Sequence, residues 1–125
     1  MNYVDSNIII FAFLDTSEKG EASRTILEKQ EFVTNTLTLD EVVFEIRRKS
    51  LEQALAALIA IENSPNILLV PFESEDLPLF TKYLKKGLAP RDAIHALTAE
   101  KTGCKFIYSE DKDFDRIEIP RKTPW

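Results

Sequence analysis

A continuous apolar run, Ile67-Leu68-Leu69-Val70, most narrows what this chain can fold into. Runs of this kind belong to strands buried on both faces of a parallel sheet, where no solvated face imposes alternation. Tyr3-Val4, Phe32-Val33-Thr34 and Phe106-Ile107-Tyr108 read as shorter strands. Helical signals fill the intervals between them. Leu39, Val42, Val43 and Ile46 recur at helical spacing and share one face. Strands that alternate with helices predict a parallel sheet covered on both faces.

Capping and turn residues set the expected boundaries. Ser6 or Asn7 can cap a helix that runs to Leu14. That helix is apolar on nearly every side, so it is expected in the core or in an oligomer interface. Thr16 to Gly20 reads as a loop, and Glu21 to Lys29 as a short helix. Ser50 and Gln53 form a capping box, which predicts a break there and a second helix from Leu51 to about Glu62. Ser74 is the expected cap of the next helix, with Pro78 tolerated in its first turn and Gly87 at its end. Pro90 starts a further helix that Gly103 stops. An acidic loop from Glu110 to Asp115 follows, and Ile117-Glu118-Ile119 is expected as a last edge strand.

Hydrophobic residues make up 44% of the chain and charged residues 30%, the balance of a globular protein with a real core. Residues 1–125 are expected to form a single domain, with no internal repeat or linker. The run from Ile8 to Leu14 is too short to span a bilayer, and Asp5 interrupts any secretory leader. The single Cys104 excludes an internal disulfide and suits a reducing cytoplasm. A net charge of −5 argues by itself against a nucleic-acid partner. Four carboxylates account for most of that excess, and with cations bound to them the remaining surface is near neutral.

Those four are Asp5, Glu41, Asp92 and Asp111. Each lies just after a predicted strand or in the first turn of a predicted helix. Parallel α/β sheets gather their ligands at such places. Clustered carboxylates repel one another and cost stability unless a cation binds. Each residue also has an ordinary structural explanation. Asp5 suits a helix cap or a turn. Glu41 closes the box Thr38-Leu39-Asp40-Glu41, in which it would bond back to the Thr38 N–H. Asp92 follows Pro90 closely, where the helix dipole favours a negative charge. Asp111 and Asp113 stand in a loop whose acids also serve solvation; Asp111 is nearer the strand end, and Asp113 is either a second ligand or a cap. Ser109 can hydrogen-bond a carboxylate or a phosphate. Glu45 shares the Glu41 face. His95, the only histidine, is assigned to a surface or packing role and left out of the site.

Oxygen ligands with no His or Cys among them suit Mg2+ or Mn2+, one ion or two, rather than zinc. Such ions activate water and stabilise charge on a phosphoryl group. The chain has no GxxxxGK(S/T) loop, GxGxxG fingerprint or GxSxG elbow for other chemistries. Arg47, Arg48 and Lys49, and Lys82, Lys85, Lys86 and Arg91, could contact phosphate or simply solvate helix faces. Arg48, two turns along the Glu41 face, is the best single candidate. Phe44 can stack on a base or pack against a partner subunit.

Four stretches in order resemble a PIN domain: Val4-Asp5-Ser6-Asn7-Ile8-Ile9, Thr38-Leu39-Asp40-Glu41-Val42-Val43, Pro90-Arg91-Asp92-Ala93-Ile94-His95-Ala96 and Ser109-Glu110-Asp111-Lys112-Asp113-Phe114. The resemblance implies a Rossmann-like fold, a three-layer α/β/α sandwich with a central, mostly parallel sheet. It implies a Mg2+- or Mn2+-dependent ribonuclease with Asp5, Glu41, Asp92 and Asp111 around the metal. Asp113 would then be an accessory acid, and Ser6 and Ser109 supporting hydroxyls. Ser109 stands where many members carry Thr, a change that keeps the hydroxyl. Small members similar to this chain are often VapC-type toxins, which implies an antitoxin partner and a homodimer. The expected reaction is in-line attack of an activated water on an RNA phosphodiester, leaving a 5′-phosphate and a 3′-hydroxyl.

Two related readings stay open: a housekeeping RNA-processing nuclease, and a catalytically silent binding module, against which the presence of all four acids counts. A haloacid-dehalogenase-type phosphatase would want an acid where Asn7 stands, and a receiver domain would want one where Asn35 stands.

Overall fold

Tyr3 and Val4 are neighbours in sequence, are both fully buried, and belong to different cores. That is the strand period at work: successive side chains leave a sheet on opposite faces. The structure of residues 1–125 is a computed structural model. Its sheet contains β1 (Asn2–Val4), β2 (Phe32–Asn35), β3 (Ile67–Val70), β4 (Ile107–Tyr108) and β5 (Arg121–Lys122). The spatial order is β3-β2-β1-β4-β5, and every pairing is parallel.

Helices cover both faces. Val4, Phe32 and Tyr108 face a core built with α1 (Ser6–Leu14), α3 (Leu37–Ile46) and α4 (Leu51–Asn63), against which α2 (Glu18–Lys29) also packs. Tyr3, Val33 and Ile107 face a second core built with α5 (Leu77–Lys85) and α6 (Pro90–Lys101). This is the three-layer α/β/α sandwich expected from the sequence. The chain lays down β1, β2 and β3 in one direction, then crosses to β4 on the other side of β1. The reversal leaves a crevice between β1 and β4 at their carboxyl ends, the general position of ligand sites in such sheets. No helix is long and apolar enough to cross a membrane.

Local punctuation worked where one residue decides the outcome. Pro90 opens α6, and Gly103 follows it at φ 71°. Ser50 caps α4 by accepting the Gln53 N–H at 3.2 Å, so the expected break occurs. Other expectations fail for identifiable reasons. Ile67–Val70 pairs with β2 alone, at the edge of the sheet, and Leu68 is 54% exposed; its apolar character does not reflect burial on both faces. Asp5, rather than Ser6 or Asn7, caps α1. The Thr38–Glu41 box does not form, because α3 begins at Leu37 and places Thr38 inside the helix, bonded to Thr34. Glu73, not Ser74, caps the 3-10 turn that leads into α5, with Asp76 accepting the Glu73 N–H at 2.9 Å. Ile117 is drawn into the core beside α6 instead of forming a strand, and the edge strand falls at Arg121–Lys122. The helix expected from Glu21 starts earlier, at Glu18.

The corner between α1 and α2 depends on Gly20. A Cβ built there would lie 1.7 Å from the Asp15 carbonyl oxygen. Arg24 closes the same corner by donating to the carbonyls of Asp15 at 2.9 Å and Ala12 at 3.1 Å. Gly20→Ala is expected to cost about 2–3 kcal/mol, because backbone rather than a flexible side chain must move. Urea unfolding measures this as a lower midpoint; an unchanged midpoint would contradict the close approach.

Candidate metal centre

Asp5 sits at the junction of β1 and α1. Its N–H extends the ladder to the Tyr108 carbonyl at 3.0 Å. Its side chain then turns to the first amide of α1, accepting the Ser6 N–H at 2.7 Å. Oδ2 accepts the Ser109 hydroxyl at 2.6 Å and the Asn7 amide at 3.2 Å. Ser109 in turn accepts the Asp111 N–H at 3.0 Å, and Asn7 Oδ1 accepts the Glu110 N–H at 3.3 Å. Ser109 and Asn7 therefore fasten the end of β1 to the loop after β4. The Ser6 hydroxyl, at 3.4 Å from Asp5 Oδ1, makes a weaker contact than its own N–H.

Glu41, on α3, meets His95 of α6. Glu41 Oε1 lies 2.6 Å from His95 Nε2, and Asp5 Oδ1 lies 3.5 Å from the same nitrogen. His95 is fully buried, so the surface alternative expected for it does not hold, and it stands inside the acidic cluster. Burial disfavours a charged ring, yet Tyr3, Asp5 and Glu41 around it hold its pKa well above the ordinary histidine value. Two carboxylates at the crevice thus share one buried partner on α6.

Asp92 opens α6 one turn before His95, and Asp111 caps the 3-10 turn Lys112–Arg116, accepting the Asp113 N–H at 2.9 Å. Asp92, Asp111 and Asp113 form one group and Asp5, Glu41 and His95 another. In each, one possible ligand atom per residue lies within 4.8 Å of the others. The four sequence-derived acids are thus split between two triplets. The triplets communicate, because Asp111 and Asp5 both act on Asp92. Burial first, then repulsion from Asp111, Asp5 and Asp113, raises the Asp92 pKa to about 6, while His95 lowers it. Hard oxygen donors dominate the set, and crowding of like charge is what a divalent cation relieves. The residues present fit Mg2+ or Mn2+.

A groove of 360 Å³ opens beside this cluster, between Ser6, Asn7, Ile10 and Phe11 of α1 and Glu41, Phe44 and Glu45 of α3, with Arg91 at its rim. Arg48 pairs with Glu45 at 3.8 Å and does not line the groove. Phe44 is exposed, with the Arg47 guanidinium over its ring. Three contributors went unassigned from sequence: His95, Asn7 and Tyr3. Their importance arises from contacts between residues far apart in the chain. Only the placement of His95 one turn after Asp92 on α6 was visible in advance.

The fold and the acidic crevice define a class: α/β proteins with a carboxylate cluster at the switch point of a parallel sheet. The sequence model of the PIN domain matches residues 3–120, and the chain belongs to the PIN domain family. Solved structures with the same fold include VapC20 of Mycobacterium tuberculosis, described as a sarcin-ricin loop cleaving toxin. It has a TM-score of 0.79 and 17% identity, covering 95% of this chain and 96% of that one. A toxin–antitoxin complex from Klebsiella pneumoniae has a TM-score of 0.73 at 18% identity, covering 100% and 98%. VapBC2 from Rickettsia felis, bound to a promoter DNA fragment, has a TM-score of 0.72 at 17% identity, covering 98% of each chain. At these identities the likeness establishes a shared fold. None of the curated proteins compared with the chain matches it.

The raised Asp92 pKa has a consequence for stability. An acid whose pKa is higher in the folded than in the unfolded state contributes most at low pH, and its contribution is lost as pH rises from the unfolded value near 3.8 through about 6. In EDTA, the wild type is expected to lose roughly 1–2 kcal/mol from this group across that window, after allowance for its partial solvent access. Asp92→Asn should flatten the loss and be the more stable protein at pH 7. Thermal melts at pH 4 and pH 7 measure it; a variant less stable than wild type at pH 7 would favour a helix-cap role for Asp92.

Proposed function

We propose that this chain is a divalent-metal-dependent endoribonuclease that hydrolyses RNA phosphodiesters, with residues 1–125 working as one nuclease domain. The observation that supports the reading is a pair of neighbouring acidic groups in a PIN domain, one with Asp5 and Glu41 and the other with Asp92 and Asp111, with Asp5 and Asp111 both raising the Asp92 pKa. Asp5, Glu41, Asp92 and Asp111 would hold Mg2+ or Mn2+, one ion or two, with Asp113 as an accessory acid. When bound there, the ion would supply an activated water and offset charge on the phosphate. Ser109 and Asn7 keep Asp5 turned into the crevice, and Ser109 also fixes the loop that carries Asp111. Ser6 contributes chiefly through its N–H. Arg91, at the rim of the groove beside Glu41, is a better-placed phosphate contact than Arg48.

The VapC-like folds extend the proposal to the toxin of a toxin–antitoxin pair acting in the cytoplasm, with an antitoxin partner and a homodimer. Exposed Phe13 on α1 and Leu51, Leu55 and Ile59 on α4 are the kind of apolar surface that such partners cover.

Purified protein given a mixed single-stranded RNA pool is expected to cut it with Mn2+ or Mg2+ and not with EDTA. Asp5→Asn or Asp92→Asn should lower the rate by more than the roughly 10–100-fold typical of losing an outer partner of a metal site. Cleavage that persists in EDTA or in both variants would overturn the reading. Arg91→Ala is expected to weaken substrate binding by about 1 kcal/mol, roughly fivefold in KM with kcat little changed. An equal fall in kcat would instead place Arg91 among groups acting in the transition state.

A further inference from the structure

We propose that His95 is a positioning residue of the carboxylate cluster and not one of its ligands: its Nε2–H aims Glu41 into the crevice, and the Tyr3 hydroxyl aims His95. This inference rests on the metal-dependent reading above and adds to it a residue with a defined task.

Glu41 has one hydrogen-bond partner in the structure, His95 Nε2 at 2.6 Å. Asp5, by contrast, is held by Ser6, Asn7 and Ser109. Glutamate has several free rotors, so its direction depends on that single bond. An ionised carboxylate can only accept, so the hydrogen between the two groups belongs to the imidazole. A ring nitrogen that carries a hydrogen has no lone pair for a metal. The other nitrogen, Nδ1, is committed 2.5 Å from the Tyr3 oxygen, on the side away from Glu41. Neither nitrogen is therefore free to ligate, although His95 stands within ligand distance of Asp5 and Glu41. Glu41 keeps its second oxygen for a cation.

The chain of contacts continues to the backbone. The Asn35 N–H, at the end of β2, donates to the Tyr3 oxygen at 2.9 Å. The Asn35 side chain donates to Thr98 on α6 at 2.9 Å and accepts the Leu37 N–H at the start of α3 at 2.8 Å. The strand end that anchors Tyr3 thus also fixes the helix carrying Glu41 and the helix carrying His95. Buried Tyr3 and His95 and the partly buried Glu41 form one line from sheet to crevice.

Calorimetric titration with Mn2+, using wild type, His95→Gln, His95→Leu and Tyr3→Phe, tests the assignment. A melt of each variant confirms that it is folded. Glutamine carries an amide N–H near the position of Nε2, so His95→Gln is expected to bind Mn2+ within about threefold of wild type. His95→Leu should bind about 10–100-fold more weakly, the range for loss of a partner that orients a metal ligand. Tyr3→Phe keeps the imidazole but removes its anchor, and should weaken binding in the same direction by a smaller factor. If His95→Leu does not fold, Tyr3→Phe and His95→Gln still decide the question. Equal, large losses in His95→Gln and His95→Leu would overturn the proposal in favour of a ligand. Unchanged binding in every folded variant would overturn it in favour of plain packing. Wild-type protein that binds no Mn2+ would overturn the metal-dependent reading itself, and this inference with it; that failure is recognisable because it needs no substitution.

Discussion

Like charges gathered at one end of a sheet must be held against their own repulsion, and much of this molecule's polar architecture serves that end. The carboxylates come from four separate places: the end of β1, the second turn of α3, the first turn of α6 and the loop after β4. Nothing local would keep them together. The holding groups are the Ser109 hydroxyl, the Asn7 amide and the His95 ring, each bridging two elements. Asp92 shows the residual strain, since burial and its acidic neighbours raise its pKa to about 6. Crowding of this kind costs stability, and the proposed cation would relieve it.

The parallel order of the sheet makes the arrangement possible. All five strands point the same way, so all their carboxyl ends, and the helix starts that follow β1 and β2, lie on one side. The reversal between β1 and β4 keeps that side open at one place. Side chains from Asp5 and from the β4 loop reach it directly, while α3 and α6 lean in from opposite layers of the sandwich. Glu41 and His95 meet across that gap. The contact joins the two layers at the point where chemistry is proposed.

What the sequence disclosed follows the range of the forces involved. Pro90 and Gly103 act through their own backbone, so the limits of α6 were legible. The alternation of strands and helices predicted the parallel sandwich, and strand ends and helix starts singled out four candidate acids. Competition between equally good local signals was not legible. Thr38 looked like a cap, but Thr34 offers it a buried partner and α3 starts before it, which releases Glu41 to His95. Ile67–Val70 looked doubly buried because hydrophobicity does not encode position, and the run lies at the edge. Ile117 was claimed by the core rather than by the sheet. His95 was set aside because its partners, Tyr3 and Glu41, are brought to it only by the completed fold.

The measurement that tests the central claim most directly is a crystal structure of the protein grown with Mn2+, with anomalous scattering recorded at the manganese edge. The account predicts a peak in the crevice between β1 and β4, within coordination distance of carboxylate oxygens of Asp5 and Asp92, with the His95 ring turned toward Glu41 and not toward the ion. Absence of a peak there at saturating Mn2+, or a peak bound only by the exposed acids of the Glu110–Asp115 loop, would contradict it.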